Sequence, residues 1–207
     1  MLLGLKEIGI RKALRYLYTT LLAILYKLMV FPQFRAVFLR ACGARIGRGT
    51  IICSGVRFIN LHRTGYRGLT VGDYCWISEE VMFDLADRIT LGNNVTIGQR
   101  AILLTHLNVG YQHHPLQASF PARQQPVRVA DGAFVGPYTI VVAGVEVGAG
   151  SFVMARTLLS RSLGDGMFRT EVTREKKIPV AFFAGQDDNG QAGTRQEEPT
   201  SSGAPAE

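Results

Sequence analysis

From Ile46 onward, the sequence repeats with a period of six residues. Each unit opens on an aliphatic residue, usually continues with Gly or another small or polar residue, and carries a small or β-branched residue at its fifth position. The longest unbroken block begins at Val129 and reads VADGAF, VGPYTI, VVAGVE, VGAGSF, VMARTL. A period of six matches neither an α-helix nor the two-residue alternation of an ordinary strand. It predicts short strands joined by tight turns, with the opening and fifth residues facing inward.

Such short strands cannot bury a core alone, but stacked coils share a continuous aliphatic column, which is how solenoids are stabilised. Glycine suits the turns because it adopts positive φ without strain. The earlier units keep the same pattern, in the order IGRGTI, ICSGVR, VGDYCW, ISEEVM, LGNNVT, IGQRAI and LLTHLN. The repeat therefore predicts an all-β fold, a parallel β-helix over residues 44–165, with Cys75 in its interior.

Two stretches interrupt the repeat, a short insertion over 60–70 and a longer one over 109–128. A long loop on a regular solenoid is more often functional than incidental. We expect the loop over 107–128 to shape a binding site. Beyond residue 165 we expect a closing segment over 166–185 and a disordered tail over 186–207, because the tail is polar and contains Gly, Pro and Ser throughout.

Residues 1–43 differ in character from the rest of the chain. Residues 1–48 hold nine Lys/Arg and one Glu, whereas the other 159 residues hold 14 basic and 15 acidic groups, so the net charge of +7 belongs to the N-terminal segment. We expect two helices, one ending near Val30 and one over about 33–40, with a break at Pro32. Two compatible interpretations are a cap on the open end of the β-helix and a peripheral contact with an anionic membrane.

Composition and motifs argue against several other classes of protein. No basic stripe interleaved with aromatic residues runs through the body of the chain, which argues against nucleic-acid binding. The apolar run from Tyr16 to Phe31 is shorter than the roughly 20 residues of a spanning helix, and no signal-peptide cleavage site follows it. Three widely spaced cysteines favour a reducing, cytoplasmic location. The basic, apolar N-terminal segment suggests a peripheral position at the inner face of the membrane.

Over about residues 46–163 the units resemble those of the hexapeptide-repeat acyltransferases. The stretch ITLGNNVTIGQRAILLTHLN resembles the part of galactoside, maltose and colanic-acid O-acetyltransferases that ends in a histidine general base. The resemblance implies a left-handed β-helix, a homotrimer, acetyl-CoA as the acyl donor and His106 as the base. The chemistry is suitable in itself, because a neutral imidazole can accept the proton of an attacking hydroxyl.

The same resemblance suggests acceptor-side residues. Asp84 and Asp87 fall where the family often has Asn or Asp one coil before the histidine. A carboxylate there would orient the imidazole or hold the acceptor hydroxyl, and we assign Asp84 to the catalytic set and Asp87 to the substrate set. The alternative for both is an ordinary turn aspartate. Asn108, His113 and His114 lie at or in the long loop, either in the acceptor pocket or as exposed loop residues.

The run VVAGVEVGAGSFVMARTLLSRSL resembles the coenzyme A side of the family. The matching positions, which would admit the pantetheine arm or meet a phosphate, are Ala143, Gly144, Ala155, Ser160 and Arg161. After Gly166 the sequence departs from the family, because the usual Gly-x-Pro turn is absent. Lys176 and Lys177 keep the basic character of this region and are assigned to the coenzyme A phosphates.

The sequence thus predicts an acyl-CoA-dependent O-acetyltransferase that modifies a hydroxyl of a saccharide or surface-glycan precursor by direct transfer. A non-catalytic β-helix scaffold would share the repeat, but it has no need of a base beside a long loop. A zinc protein like the γ-type carbonic anhydrases would need His62, His106 and His113 or His114 as ligands. Because His62 lies in an insertion rather than on a regular coil, this spacing fits poorly, and we predict no metal site.

Overall fold

The computed structural model describes residues 10–110 and 114–170. Its helices are α1 (Ile10–Lys27), α2 (Pro32–Ala41) and α3 (Leu61–Thr64), with 3₁₀ turns at Tyr66–Gly68 and Pro115–Gln117. Short strands form three sheets. In spatial order, sheet A contains β1 (Arg45–Ile46), β4 (Leu69–Val71), β7 (Ile89–Leu91), β12 (Val127–Val129) and β15 (Glu146–Val147).

Sheet B contains β2 (Ile51–Ile52), β5 (Trp76–Ile77), β8 (Thr96–Ile97), β13 (Phe134–Val135), β16 (Phe152–Val153) and β18 (Phe168–Arg169). Sheet C contains β3 (Arg57–Ile59), β6 (Met82–Asp84), β9 (Ile102–Leu103), β14 (Ile140–Val141) and β17 (Leu158–Leu159). A separate antiparallel ribbon joins β10 (His106–Leu107) to β11 (Arg123–Gln124).

Within the three sheets every neighbouring pair of strands is parallel, and the chain visits sheets A, B and C in turn. Each coil of the β-helix therefore consists of three six-residue units. The registers align the opening residues of successive coils, for example Leu91 with Val129 and Val129 with Val147. An insertion between coils shifts the sequence offset but leaves this alignment unchanged.

The core lies inside this three-sided stack, where the opening and fifth residues of the units point as the repeat predicted, except for Leu107, the fifth residue of LLTHLN, which is exposed. Opening residues such as Ile97, Val135 and Val141 are fully buried. The buried fifth-position residues are Thr50, Val56, Cys75, Val81, Val95, Ala101, Ala133, Thr139, Val145, Ser151 and Thr157. The interior position predicted for Cys75 is confirmed, since 2% of its surface is exposed.

The glycines of the repeat have two roles, of which the sequence predicted only one. At fourth positions the backbone is left-handed, as in Gly132 (φ 68°), although Asn94 (φ 54°) shows that other residues also adopt it. At second positions glycine permits close approach of the next coil. A Cβ on Gly98 would lie 2.5 Å from the backbone nitrogen of Pro137, which is closer than any real contact.

At the corner between sheets A and B, a polar side chain in four of the coils accepts a hydrogen bond from a backbone N–H of the coil before it. The acceptors are Asp73, Asn93, Asp131 and Asp165, at 2.7–2.8 Å. Asp165 belongs to a further unit, LGDGMF, in which Leu163 bridges to Val147 and β18 joins sheet B. The repeat therefore continues to Arg169, beyond the predicted end of the β-helix at residue 165.

The N-terminal helices cover the first coil. Ala36 and Leu39 of α2 are buried in the same apolar cluster as Ile46 and Ile52. Arg35, only 7% exposed, donates hydrogen bonds to three backbone carbonyls, two in the link between α1 and α2 and one in β2. Among the described helices, none combines the length and apolar character that a membrane-crossing segment requires.

Candidate active site

The residues that follow the strands of sheet C stack along one corner of the β-helix. Because β6, β9, β14 and β17 are in register, Asp84, Leu104, Val142 and Ser160 occupy equivalent positions in four successive coils. The chain therefore brings Asp84, His106 and Gly144 to the same corner, which we call the C/A corner because the chain passes there from sheet C to sheet A. The long loop leaves the stack at this corner.

At the C/A corner, His106 and Asp84 form a hydrogen-bonded pair, in which His106 Nδ1 contacts Asp84 Oδ2. Three further donors surround the carboxylate. Oδ2 accepts the Thr105 N–H at 2.9 Å, and Oδ1 accepts from Asn60 Nδ2 at 2.7 Å and from the Ala86 N–H at 3.2 Å. The Asp84 side chain is completely buried, whereas 31% of the His106 side chain is exposed.

This environment sets the charge of Asp84. Burial by itself would raise the pKa of the carboxyl group, but hydrogen bonds from Asn60, His106 and the Thr105 backbone outweigh it, and the pKa lies below its ordinary value. An ionised carboxylate accepts hydrogen bonds only, so Nδ1 of a neutral His106 ring carries the proton. The lone pair then lies on Nε2, the ring nitrogen that Asp84 does not engage.

His106 is the fourth residue of the unit LLTHLN, a position that forms a turn in other units, but His106 itself does not lie in a turn. Equivalent residues such as Arg100 and Tyr138 have left-handed backbone conformation, but His106 does not. Instead it begins β10, which pairs antiparallel with β11 at the base of the long loop, His106 opposite Gln124. The ribbon extends the chain away from the coil at this point, which leaves the His106 ring at the foot of the loop.

None of the described residues predicted on the acceptor side hydrogen-bonds to the Asp84 or His106 side chain. The Asp87 N–H donates to Thr105 Oγ1 at 2.9 Å, while Asp87 Oδ1 accepts from the Arg88 N–H. Asn108 is exposed just past β10, and its Oδ1 accepts from the Gly110 N–H. His114 caps a 3₁₀ turn through Nδ1. His113 lies outside the described residues.

The residues predicted to contact coenzyme A divide between two corners. Ala143, Gly144, Ser160 and Arg161 follow strands of sheet C and lie along the C/A corner, whereas Ala155 follows β16 and lies between sheets B and C. Ser160 and Arg161 are exposed. The Gln125 side chain lies against Gly144, where a Cβ would be 2.6 Å from Gln125 Oε1. Lys176 and Lys177 lie outside the described residues.

Sequence reasoning missed two residues that hold Asp84 in place, Asn60 and Thr105. Asn60 is the first residue of the insertion over 60–70; its backbone is left-handed (φ 56°) and its amide faces Asp84 in the next coil. Thr105 donates to Asp84 through both its N–H and its hydroxyl. The "TH" pair at 105–106 could have identified Thr105 from the sequence, whereas no sequence pattern pointed to Asn60.

The zinc interpretation requires His62 beside His106, but these two histidines have different surroundings. His62 lies on α3 with its ring 5.9 Å from that of Tyr16 in α1. Within residues 10–110 and 114–170, no group of three or more His, Cys, Asp or Glu side chains is arranged to hold a metal ion.

Comparison with known proteins places this architecture. No family model matches the chain. WcaF of Escherichia coli, which is named as a colanic acid biosynthesis acetyltransferase, is 30% identical over 134 residues, 65% of this chain and 68% of WcaF. The structure of a maltose O-acetyltransferase from Clostridium difficile has a TM-score of 0.64 at 16% identity, covering 77% of this chain and 83% of that one. A galactoside acetyltransferase in complex with coenzyme A has a TM-score of 0.65 at 15% identity, covering 78% of each chain.

The two structures share the fold, a left-handed parallel β-helix of hexapeptide repeats, and the predicted fold class is confirmed. The sequence match to WcaF goes further, since it extends over more than two thirds of that protein. The chain belongs to the hexapeptide-repeat acetyltransferases. It is therefore an acetyltransferase, and the scaffold interpretation is not favoured.

Proposed function

We propose that this protein transfers an acetyl group from acetyl-CoA to a hydroxyl of a saccharide or surface-glycan precursor, with His106 as the general base. One observation carries the proposal: a buried, ionised Asp84 holds the exposed His106 ring at the foot of a long loop. Support for the substrates comes from the relatives, which are named for colanic acid, maltose and galactoside, and from the coenzyme A bound to the galactoside enzyme.

In the proposed mechanism, His106 Nε2 accepts the proton of the acceptor hydroxyl as its oxygen attacks the acyl carbon. Asp84 stabilises the imidazolium that forms and keeps the ring in one orientation. The imidazolium then returns the proton to the departing sulfur, so no serine or cysteine nucleophile is required. Acetyl-CoA supplies the acetyl group as a thioester. The small Ala143 and the exposed Arg161 fit the pantetheine arm and a phosphate, respectively.

The test of this mechanism is acetyl transfer to candidate glycans by His106→Ala. We expect a loss of roughly 10²- to 10⁴-fold in kcat, the usual contribution of a general base. The measurement is the mass shift of one acetyl group on the glycan after incubation with acetyl-CoA. His62→Ala is the matched control and retains activity, because His62 packs on α1. Full transfer by His106→Ala would show that the mechanism is wrong.

The proposed assembly is a homotrimer, with sheet B at the subunit interface. Except for Thr96 of β8, the outward side chains of sheet B form an apolar ladder that is left partly exposed, comprising Ile51, Trp76, Phe134, Phe152 and Phe168. The Phe134 and Phe152 rings stack with centroids 4.5 Å apart. Exposed apolar patches of this kind mark interfaces between proteins.

For the trimer, light scattering of the wild type is expected to give three times the 22.7 kDa chain mass. Phe152→Glu places a charge in the ladder and is expected to give a smaller mass. Leu116→Glu, an exposed leucine in the loop, is the control and keeps the trimer mass. A wild-type monomer that is fully active would contradict the proposed assembly.

The proposed location is the cytoplasm, with peripheral contact at the inner face of the membrane. Cys42, Cys53 and Cys75 are all free thiols, which is consistent with a reducing compartment. Fractionation of cells that produce the full chain tests the location; recovery in an oxidising compartment would contradict it.

A further inference from the structure

Helix α1 has a second apolar face that points away from the protein. Along it and the first residue after it run six large apolar side chains at alternating spacings of four and three residues, each 52–72% exposed: Ile10, Leu14, Leu17, Leu21, Ile24 and, just past the helix, Leu28. We call these residues the α1 stripe. Spacings of this kind place side chains on one face of a helix.

The α1 stripe is not needed to hold α1 on the β-helix. The residues of α1 that are buried against the rest of the protein, Thr19 and Tyr26, lie on the opposite side of the helix. The Tyr26 ring packs against the rings of Phe38, Phe58 and Tyr66. The helix is therefore anchored by one face and presents the other to its surroundings. Helix α2 also exposes apolar side chains, Phe34 and Val37.

A cationic groove of about 770 Å³ runs beside the stripe, between α1 and α3. Lys12, Arg15 and Arg63 line it together with apolar Leu17, and its lining contains no carboxylate. Burial and the neighbouring Arg63 and Arg15 cations lower the pKa of His62, which also lines the groove. The potential in the groove is therefore positive.

The surrounding charge has one sign. Residues 10–48 contain eight Lys/Arg and no Asp or Glu. A second copy of the chain meeting this surface with its own would bring two such basic segments together, which like-charge repulsion opposes. An anionic lipid surface has the complementary charge and an apolar interior, and it accepts a helix lying in its plane.

We propose that α1 is a membrane-docking surface: the α1 stripe enters the interface of an anionic bilayer, and lipid phosphates occupy the groove of Lys12, Arg15 and Arg63. The helix lies in the plane of the membrane rather than across it. This proposal specifies the peripheral membrane contact proposed above and does not depend on acetyl transfer, since no residue of the stripe or groove hydrogen-bonds to Asp84.

The experiment is sedimentation of the full-length protein with vesicles of phosphatidylcholine alone or mixed with phosphatidylglycerol. We expect binding to the mixed vesicles, weak binding to phosphatidylcholine alone, and weakening as salt is added. Leu17→Gln with Leu21→Gln is expected to weaken binding about tenfold or more, because it removes two apolar contacts without adding charge. Lys12→Gln with Arg63→Gln is expected to weaken it roughly fivefold for each cation removed.

Matched controls are Leu116→Gln for the stripe and Arg123→Gln for the groove, both exposed residues on the long loop. They are expected to bind as the wild type does. Because the substituted side chains are exposed, we expect every variant to fold. Circular dichroism and thermal unfolding check this.

Three outcomes would overturn the proposal. The first is equal binding of the wild type to neutral and anionic vesicles, or no binding to either. The second is unchanged vesicle binding by the stripe variant. The third is a lower molecular mass of the stripe variant by light scattering, which would show that a second copy of the chain covers α1. Acetyl transfer to a soluble acceptor is measured in parallel and is expected to be unaffected, so that failure of docking is distinguished from failure of the proposed activity.

Discussion

The Asp84–His106 pair joins residues 22 positions apart in the sequence, in consecutive coils. Four donors, including His106, converge on the two oxygens of the Asp84 carboxylate. A buried carboxylate with this many hydrogen bonds is stable as an anion. At the residue scale, the ionised Asp84 carboxylate therefore orients the His106 imidazole. Which ring nitrogen carries the proton depends on Asp84 being ionised.

Asp84→Asn tests this dependence. An amide can donate as well as accept, so it no longer specifies which His106 nitrogen carries the proton, and we expect transfer to fall by roughly 100-fold or more. The folded pKa of Asp84 lies below its unfolded value of about 3.9. Its anion therefore stabilises the fold near neutral pH, and this contribution is lost as pH falls through the folded pKa.

The measurement is the free energy of unfolding of wild type and Asp84→Asn from pH 6 downward. The difference between the two proteins should shrink below about pH 4, where the unfolded carboxyl begins to bind its proton. A difference that stays constant or grows as the pH is lowered would contradict the assigned ionisation.

At the scale of the elements, α2 connects the basic N-terminal segment to the β-helix through Arg35. Arg35 Nε donates to the Met29 carbonyl at 2.8 Å and Nη1 to the Ile52 carbonyl at 3.0 Å, with a third hydrogen bond to the Val30 carbonyl. One cation of the basic N-terminal segment is thus buried, and it connects α1, α2 and β2. The charge of the segment and its surface charge are not the same quantity.

Arg35→Met is expected to lower the free energy of unfolding by about 2–4 kcal/mol, because it leaves three carbonyls without their donor. Thermal or urea unfolding measures this effect. Arg11→Met, at an exposed position of α1, is the control and should change stability by less than about 0.5 kcal/mol. Equal effects of the two substitutions would contradict the structural role of Arg35.

The molecule as a whole is a stack in which each coil contacts only its neighbours. Leu103 of β9 lies between β6 and β14, whereas Leu159 of β17 lies at the end of sheet C. Both side chains are buried. In such a solenoid, the stability contributed by a coil depends on how many neighbours it has.

This arrangement predicts unequal costs for the same substitution. Leu103→Ala is expected to cost about 3–5 kcal/mol and Leu159→Ala about 2 kcal/mol, because the cavity in the central coil is enclosed on both sides. Urea unfolding of the two variants gives the comparison. A larger loss of unfolding free energy for Leu159→Ala than for Leu103→Ala would contradict this prediction. It would mean that other parts of the protein enclose Leu159 at the end of sheet C.

Much of this structure could be predicted from local sequence patterns. The inward positions of Ile97 and Val135 follow from the six-residue pattern, which can be recognised within each unit. The Asp84–His106 pair was reached through resemblance, because the offset between them depends on how many residues lie in the turns. The Asn60 contact was not predictable, since an insertion of unknown shape stands between the two coils.

The sequence by itself determined the β-helix and the orientation of its side chains, because a strict period decides burial without reference to distant residues. It also singled out His106 as the candidate base. Only the tertiary structure decided that His106 leaves the turn for a ribbon, that Asn60 and Thr105 hold Asp84, and that α1 is anchored by one apolar face and exposes the other. The physical reason is that stacking and helix docking bring together residues whose separation in the chain carries no information about their contact.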